Sequence, residues 1–296
     1  MEKKKKKWNI TPYLFIAPNF IGFLVFILIP VLVSFGVAFT DFNIFQGFSN
    51  SHFVGLDNFI GMFTDEWFWA ALKNNLIYTV VTIPVIIGCS IVLATILNDK
   101  VYCKTTLRVM IFIPYIASVV AVSVIWMLIL NPSQGILNNL LRNMGVDNPP
   151  GWLGDPKWAL PAVILVGIWG SLGYNTIIYM SGLQSVSKNL YEAARIDGAS
   201  GLQLFRFITV PMLRNTTFFL LITNIIGSFQ VFGQINIMTG GGPGNSTTVL
   251  AHYIYLSGFR YHKMGYASAM AWFLLLIIFL VTLFQWKIQR KHEEDM

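Results

Sequence analysis

Long apolar windows alternate with short polar segments along the chain. Six windows of at least the roughly 20 residues needed to cross a bilayer contain no charged residue. A charged side chain at the bilayer centre costs about 2.5–3.5 kcal/mol, which explains why the charges fall in the gaps. The pattern predicts six transmembrane helices. Their windows are Tyr13–Thr40, Leu76–Leu97, Val109–Leu130, Trp158–Met180, Asn215–Ile237 and Gly265–Trp286.

Composition supports this pattern. The 296 residues are 55% hydrophobic and 11% charged, whereas soluble domains carry about 25% charged residues. We therefore expect an all-α polytopic membrane protein. The two cysteines, Cys89 in a window and Cys103 in a polar segment, predict neither a disulfide nor a metal site.

The distribution of lysine and arginine predicts the orientation. If the N-terminus with Lys3–Lys7 is cytoplasmic, six spans return the C-terminus to the same side, and 15 of the 20 basic residues lie inside. This threefold bias is the positive-inside pattern. The predicted membrane topology has a cytoplasmic N-terminus (1–12), a membrane domain (13–286) and a cytoplasmic tail (287–296). Outer loops are expected at about 41–74, 131–157 and 238–264. The expected location is the cell (inner) membrane.

The third outer loop contains a glycine run, TGGGPGNSTT, at residues 239–248. A phosphate-binding P-loop needs a lysine before its Ser/Thr, and Asn245 stands there instead. We therefore exclude a nucleotide site. The glycines indicate either a close approach of the backbone or a flexible turn.

A polar segment before the fifth window, YEAARIDGASGLQLFRFITVP (191–211), predicts two short helices. Asn189 with Glu192 resembles a capping pair, Gly198 ends the first helix, and Ser200 with Gln203 forms a capping box for the second. Helices shorter than about 12–15 residues are marginal in water, so the pair must dock against something. Asp197 at the first helix's C-terminal end opposes the macrodipole. It indicates either an external donor or a solvated Asp–Gly turn.

This segment resembles the EAA loop of binding-protein-dependent ABC importer permeases, E-A-A-x3-G-x9-I-x-L-P. The chain departs from that pattern only at Val210. The stretches NNLIYTVVTIP, GYNTIIYMSGLQSV and FQVFGQINIMTGGGPGNSTT extend the resemblance to maltose-type sugar permeases. The resemblance implies a type I ABC importer permease fold. The matched coupling residues, in a loop at about 187–211, would be Glu192, Ala193, Ala194, Gly198, Ile208 and Pro211. Asp197 is added from its local chemistry and not from the pattern.

The resemblance also implies the partners. They are a second, homologous permease, a cytosolic ABC ATPase dimer whose closure pushes on the EAA loop, and an extracytoplasmic solute-binding protein. The chain itself would bind no cofactor, because ATP and Mg are used by the ATPase. The outer glycine run would face the binding protein. Its residues are Gly240, Gly241, Gly242, Pro243 and Gly244.

Amides and hydroxyls, but no charged residues, occur within the predicted spans, which suits a neutral polyol. The resemblance implies that this substrate is a sugar of the di- or oligosaccharide type. The alternative for each is hydrogen bonding between helices, which membrane bundles use routinely. The candidate pathway residues, with the last four forming two i, i+4 pairs, are Asn175, Asn224, Ser228, Gln230 and Gln234.

Three other functions remain to be weighed. The first is a permease of the same class for glycerol-phosphate or another small polar solute. The second is an ion-coupled secondary transporter, which would place an acid inside a span, and we find none there. The third is a membrane enzyme, but the four histidines are scattered without a catalytic pattern. We therefore expect a transporter subunit without an ATPase site of its own.

Overall fold

A computed structural model describes residues 11–98 and 102–294. Within these ranges the chain is almost entirely helical, and two isolated bridges pair Thr40 with Phe53 and Asn43 with Lys263. Five helices are long and apolar enough to cross a bilayer, or six if one sharply bent pair is a single span. The expected all-helical membrane fold is thereby confirmed. The basic residues Lys3–Lys7 and Lys100 lie outside the described ranges.

The described residues divide into two compact units, the first formed by residues 11–64 and 254–273. Within the described part it begins with α1 (Thr11–Phe23) and α2 (Ile29–Val37), joined by the π-helical turn Leu24–Leu28 into one candidate span. After a loop with the 3-10 turn Phe48–Asn50 comes α3 (Asp57–Thr64). The expected outer loop 41–74 is therefore partly helical.

The same unit contains the π-helical turn Leu256–Arg260 and the first turns of the last helix, α15 (Met264–Glu294). A Cβ on Gly265 would lie 1.9 Å from the carbonyl oxygen of Thr40, so glycine is what allows the two backbones to meet. Further along α15, Trp272 Nε1 donates a hydrogen bond to Ser34 Oγ at 3.2 Å. These contacts hold α15 against the end of the first span.

The second unit is formed by the described residues within 65–253 and 274–294. It carries all the segments singled out for coupling and for the substrate pathway. The helices of the unit, with α14 given in full, are α4 (Glu66–Asn98), α5 (Lys104–Ile116), α6 (Val119–Ile129), α7 (Ile136–Asn143), α8 (Pro156–Gln184), α9 (Lys188–Ile196), α10 (Gly201–Leu204), α11 (Val210–Met212), α12 (Arg214–Phe229), α13 (Gly233–Met238) and α14 (Leu250–Tyr255). α15 belongs to this unit from Leu274 onward, and α14 belongs to it up to Tyr253. A 3-10 turn, Trp152–Gly154, precedes α8, and a π-helical turn, Phe205–Thr209, joins α10 to α11.

The two longest helices of this unit, α4 and α8, pack side by side. A buried cluster joins Ala94 on α4, Tyr179 on α8, and Leu213 and Leu220 at the start of α12. The hydroxyl of Tyr179 donates to Thr217 Oγ1 at 2.9 Å, which satisfies its polar end. This core fixes the helices that surround the cavity described below.

The window Val109–Leu130 is a bent pair of helices rather than one continuous helix, and it supplies the sixth span if the pair crosses the bilayer as one. The chain bends by 98° between α5 and α6, where Ala117 and Ser118 adopt extended backbone. Pro114 contributes to the break because it has no N–H to donate within the helix. Gly173 of α8 accommodates α5, since a Cβ there would lie 2.2 Å from the carbonyl oxygen of Ile111.

Candidate coupling loop and intramembrane cavity

The first helix of the polar segment, α9, begins at Lys188 with Ser187 as its N-cap. The predicted capping pair of Asn189 and Glu192 is wrong, because Asn189 already lies inside the first helical turn. The predicted end is correct. Gly198 has a φ of +82°, and its N–H bonds the carbonyl of Arg195, while the Ala199 N–H bonds the carbonyl of Ala194. This pair of bonds is a Schellman motif, which needs a residue such as glycine in the left-handed region.

The second helix begins with the predicted capping box. Ser200 N–H donates to Gln203 Oε1 at 2.7 Å, and Gln203 N–H donates to Ser200 Oγ at 3.4 Å. The helix continues as α10, the π-helical turn and α11, in whose first turn Pro211 lies without needing an N–H. The segment is therefore a capped helix–turn–helix, which we call the coupling loop (residues 187–211).

One face of the coupling loop is held by the bundle. Phe205 packs against the buried cluster that contains Tyr179 and Leu213, and Leu204 is buried. Within the loop, Tyr191 Oη lies 3.0 Å from Oγ1 of the buried Thr209, and the two hydroxyls share a hydrogen bond. Of the predicted coupling residues, Glu192, Ala193, Asp197, Gly198 and Pro211 are exposed, and Ala194 and Ile208 are half-buried.

The exposed surface of the loop carries large apolar side chains that are not part of the EAA pattern. Ile196, Leu202 and Phe207 are 87%, 76% and 69% exposed. Leu202 and Phe207 share a shallow groove with Val210. We call Ile196, Leu202 and Phe207 the apolar coupling face. Such a face on a polar loop is typical of a protein-binding surface.

A cavity of about 520 Å³ lies among the membrane helices of the second unit. It is bordered by α4, the α5–α6 bend, α8, α12 and α13. No charged side chain occurs among its lining residues within the described chain. The lining includes Asn175, Asn224, Ser228 and Gln234 of the five pathway candidates, together with tyrosines, glycines and aliphatic residues.

Two of these candidates face each other across the helices α8 and α12. Asn224 Nδ2 donates to Asn175 Oδ1 at 2.6 Å, and Asn175 Nδ2 approaches Asn224 Oδ1 at 3.4 Å. Each amide also donates to a carbonyl of its own helix, at 2.7 Å to Leu220 and at 2.9 Å to Ser171. The pair links two helices and presents amide groups to the cavity.

The remaining candidates differ in their surroundings. Ser228 Oγ pairs with Thr79 Oγ1 at 2.9 Å, so it is already satisfied by protein. Gln234 Nε2 donates to the Val163 carbonyl at 2.7 Å. Gln230 is exposed and does not line the cavity. The expected i, i+4 pair of Gln230 and Gln234 is wrong, because the helix stops at Phe229 and resumes at Gly233.

Aromatic residues at the bend complete the wall. Tyr115 of α5 and Tyr174 of α8 stack with their ring centroids 4.9 Å apart and their planes at 21°, and both line the cavity. Tyr115 was not among the sequence candidates. The signal for it is weak: it follows Pro114 in a span that otherwise reads as uniformly apolar.

The glycine run is folded tightly onto the bundle. A Cβ on the buried Gly241 would lie 2.6 Å from Thr248 Oγ1. Asn74 of α4 donates through Nδ2 to the carbonyls of Asn245 and Thr248 at 2.8 and 2.9 Å. Of the two interpretations of these glycines, the structure favours close backbone approach over a flexible turn. Gly240 and Gly244 remain exposed, and Gly242 and Pro243 are half-buried.

The described helices thus form a broken-helix membrane bundle that combines an uncharged polar cavity with an exposed helix–turn–helix. Residues 58–293 match the family described as the binding-protein-dependent transport system inner membrane component. The chain therefore belongs to that family, which confirms the resemblance stated from the EAA spacing.

Relatives and a solved structure agree. The chain is 35% identical to the lactose transport system permease protein LacF of Rhizobium radiobacter over 98% of this chain and 97% of that protein. It is also 35% identical to the sn-glycerol-3-phosphate transport system permease protein UgpA of Agrobacterium fabrum, over 96% of each chain. It superposes with a TM-score of 0.84 and 28% identity on a chain of a bacterial alginate ABC transporter solved with an alginate pentasaccharide-bound periplasmic protein. That match covers 97% of this chain and 98% of the other. The expected ABC importer permease fold is thereby confirmed.

Proposed function

We propose that this chain is one permease subunit of an ATP-driven importer of neutral di- or oligosaccharides. The observation that carries the proposal is the cavity, which combines a paired amide, stacked tyrosines and hydroxyls with no charged lining residue. Amides hydrogen-bond sugar hydroxyls, and tyrosine rings pack against the C–H faces of sugar rings. The identity to a lactose permease supports the same substrate class.

A phosphorylated substrate is the second candidate, because UgpA is named for sn-glycerol-3-phosphate transport. A buried anion needs a cationic or strongly donating partner to offset its desolvation. The described lining of the cavity contains no lysine or arginine. This chain therefore favours a neutral solute, and a phosphate would need cations from the second permease.

The coupling loop is proposed to dock in a cleft of a cytosolic ATPase subunit. The apolar coupling face would supply contact area, Glu192 a polar contact, and the small Ala193 and Ala194 close seating of α9. The loop's capped, rigid construction suits it to transmit a push from the ATPase to α8 and α12, between which it lies in sequence. ATP and Mg belong to the ATPase in this scheme, and this chain is not an enzyme.

The remaining partners follow from the same scheme. A second, homologous permease would complete the pathway, and the solute-binding protein would dock on the outer side near Gly240–Gly244. The positive-inside distribution supports cytoplasmic N- and C-termini and a cytoplasmic coupling loop.

The test is to purify this chain with its native partners in lipid nanodiscs and to screen neutral sugars and glycerol phosphate for binding-protein-dependent stimulation of ATP hydrolysis. We expect stimulation by a neutral sugar. Stimulation by glycerol phosphate alone would overturn the substrate assignment. Uptake that persists without ATP while ion gradients are intact would overturn the importer class.

Coupling is tested by cross-linking. In a background with Cys89 and Cys103, both free and exposed, replaced by serine, Ala194→Cys should form a disulfide with a cysteine placed in the ATPase cleft. The matched control is Met144→Cys, an exposed residue (77%) in the expected outer loop 131–157. Absence of any Ala194-dependent adduct would contradict the docking model.

A further inference from the structure

One part of the cavity contains polar groups that no protein partner satisfies. It lies at Gly167 of α8, where the absent side chain leaves room for two others. A Cβ built on Gly167 would be 2.3 Å from Tyr78 Oη and 3.4 Å from Gln234 Oε1. The phenol oxygen of α4 and the amide oxygen of α13 therefore converge on one small volume of the cavity.

The orientations of both side chains are fixed. Gln234 donates its Nε2 to the Val163 carbonyl at 2.7 Å, so its Oε1 is the atom left towards Gly167. The ring of Tyr78 is 6% exposed and packs in the cluster with Val163 and Ile235. Among the described residues, neither Tyr78 Oη nor Gln234 Oε1 takes part in a hydrogen bond with protein.

A third oxygen belongs to the lining of the same cavity. Ser123 of α6 is fully buried, and its Oγ has no hydrogen-bond partner within the described chain. The neighbouring Val122 packs against the cluster that contains Val166, next to Gly167. Both Val122 and Ser123 line the cavity. A buried hydroxyl without a hydrogen-bond partner is unfavourable, and the two oxygens at Gly167 can bond a ligand in the same cavity. The three oxygens together indicate a site for a hydrogen-bonding ligand.

This place is separate from the amide pair. Gly167 and Asn175 are eight residues apart on the uninterrupted helix α8, which corresponds to about 12 Å along its axis. The tyrosine stack involves Tyr174, beside Asn175. Two polar levels at this separation exceed what one pyranose ring reaches, and they match a ligand of at least two linked rings.

We propose that Tyr78, Ser123 and Gln234 form a second sugar-binding subsite, the Gly167 subsite, which binds hydroxyls of one sugar unit while Asn175 and Asn224 bind those of another. This inference rests on the proposed function. The subsite offers the phenol and serine hydroxyls as donors or acceptors and the glutamine oxygen as an acceptor. It discriminates by chain length and by hydroxyl position, because a site built to hydrogen-bond a hydroxyl rejects analogues that lack it.

The experiment uses the complete transporter, with its second permease, ATPase and binding protein, in proteoliposomes. Glucose, lactose, maltose, raffinose and maltotriose are the probes, and kcat/KM for uptake is compared between wild type and Tyr78→Phe. We expect Tyr78→Phe to lower uptake of the transported di- or trisaccharide by about 3- to 10-fold, the effect of one uncharged hydrogen bond. Tyr179→Phe is the matched control, since Tyr179 is buried outside the cavity, and its uptake should stay within about twofold of wild type.

Monodeoxy analogues of the transported sugar separate binding from a structural effect. If Tyr78 bonds one hydroxyl, the analogue that lacks this hydroxyl should be taken up equally by wild type and Tyr78→Phe. A uniform loss for every analogue, or no loss for any, would overturn the subsite. Asn224→Ala serves as the reference variant for the amide pair. If uptake falls in Asn224→Ala but not in Tyr78→Phe, only the subsite is refuted. A wild type that imports no neutral sugar refutes the proposed function and the subsite together.

Discussion

The contact between Asn175 and Asn224 can be tested by a double-mutant cycle with leucine. Its shorter hydrogen bond is 2.6 Å, whereas the return contact is 3.4 Å, so the pair holds one good interhelical bond. Such bonds within membranes contribute about 0.6 kcal/mol on average and at most about 1.7 kcal/mol. We therefore expect a coupling energy of about 0.6–1.7 kcal/mol between the two positions.

The assay compares wild type, Asn175→Leu, Asn224→Leu and the double variant. Each single change leaves an amide facing an apolar side chain, and Asn175 is buried, so each should lower the free energy of unfolding measured by reversible denaturation in mixed micelles. The double variant removes both amides and should be less destabilised than the sum of the single effects. Uptake should be strongly reduced in all three, because the amides are also proposed to bind substrate.

Two results would refute this reasoning in different ways. Additive losses of stability would show that the amides are not coupled, contrary to the hydrogen-bond geometry. A double variant that folds and transports at the wild-type rate would show that the amides only join α8 to α12. The second result would support the inter-helix alternative and remove these residues from the pathway.

Three further changes test other parts of the molecule. Ile196→Asp should lower the affinity for the ATPase by about tenfold, roughly 1.4 kcal/mol, because it places a charge on the apolar coupling face. A pull-down measures this binding, with Met144→Asp at an exposed apolar residue as the control. Equal binding by the two variants would contradict docking through this face. Gly241→Ala should destabilise the fold more than Gly244→Ala: both have positive φ, +88° and +62°, but only at Gly241 would the Cβ meet other atoms. Thermal unfolding ranks the two, and the reverse order would count against close packing of the glycine run. Ser200→Ala should cost about 0.5–2 kcal/mol of local stability by removing the capping box, seen as faster hydrogen exchange in the coupling loop; unchanged exchange would argue that the cap contributes nothing.

The features that depend on local chemistry were predictable from the sequence. The end of α9 at Gly198 and the Ser200–Gln203 box are set by backbone conformation and neighbouring donors, so a few residues suffice to specify them. The start of α9 was misplaced at Asn189, since Ser187 and Asn189 are both acceptable caps and the choice between them depends on where the preceding helix ends. The presence of helices in the apolar windows was predictable from the length of chain needed to cross a bilayer.

The breaks in the spans were not predictable in the same way. Hydropathy averages over about 20 residues, so a window that turns by 98° at Ala117–Ser118 reads as a straight helix. The interruption after Phe229 is also concealed, because Val231 and Phe232 are apolar. Tyr78, Tyr115 and Ser123 were not predicted for a related reason. Single hydroxyls in apolar windows are common, and only the tertiary fold shows which of them line a cavity.

Both breaks border the cavity, and this location has a physical reason. Backbone that leaves the helix at membrane depth exposes N–H and C=O groups that lipid cannot satisfy, so it is tolerated only where protein or an aqueous cavity satisfies them. Ala117 at the first break, and Val231 and Phe232 at the second, line the cavity. The breaks therefore add backbone donors and acceptors to a wall whose side chains are uncharged. A wall of this kind binds a neutral, hydroxyl-rich solute through many weak contacts, which suits a pathway that must also release it.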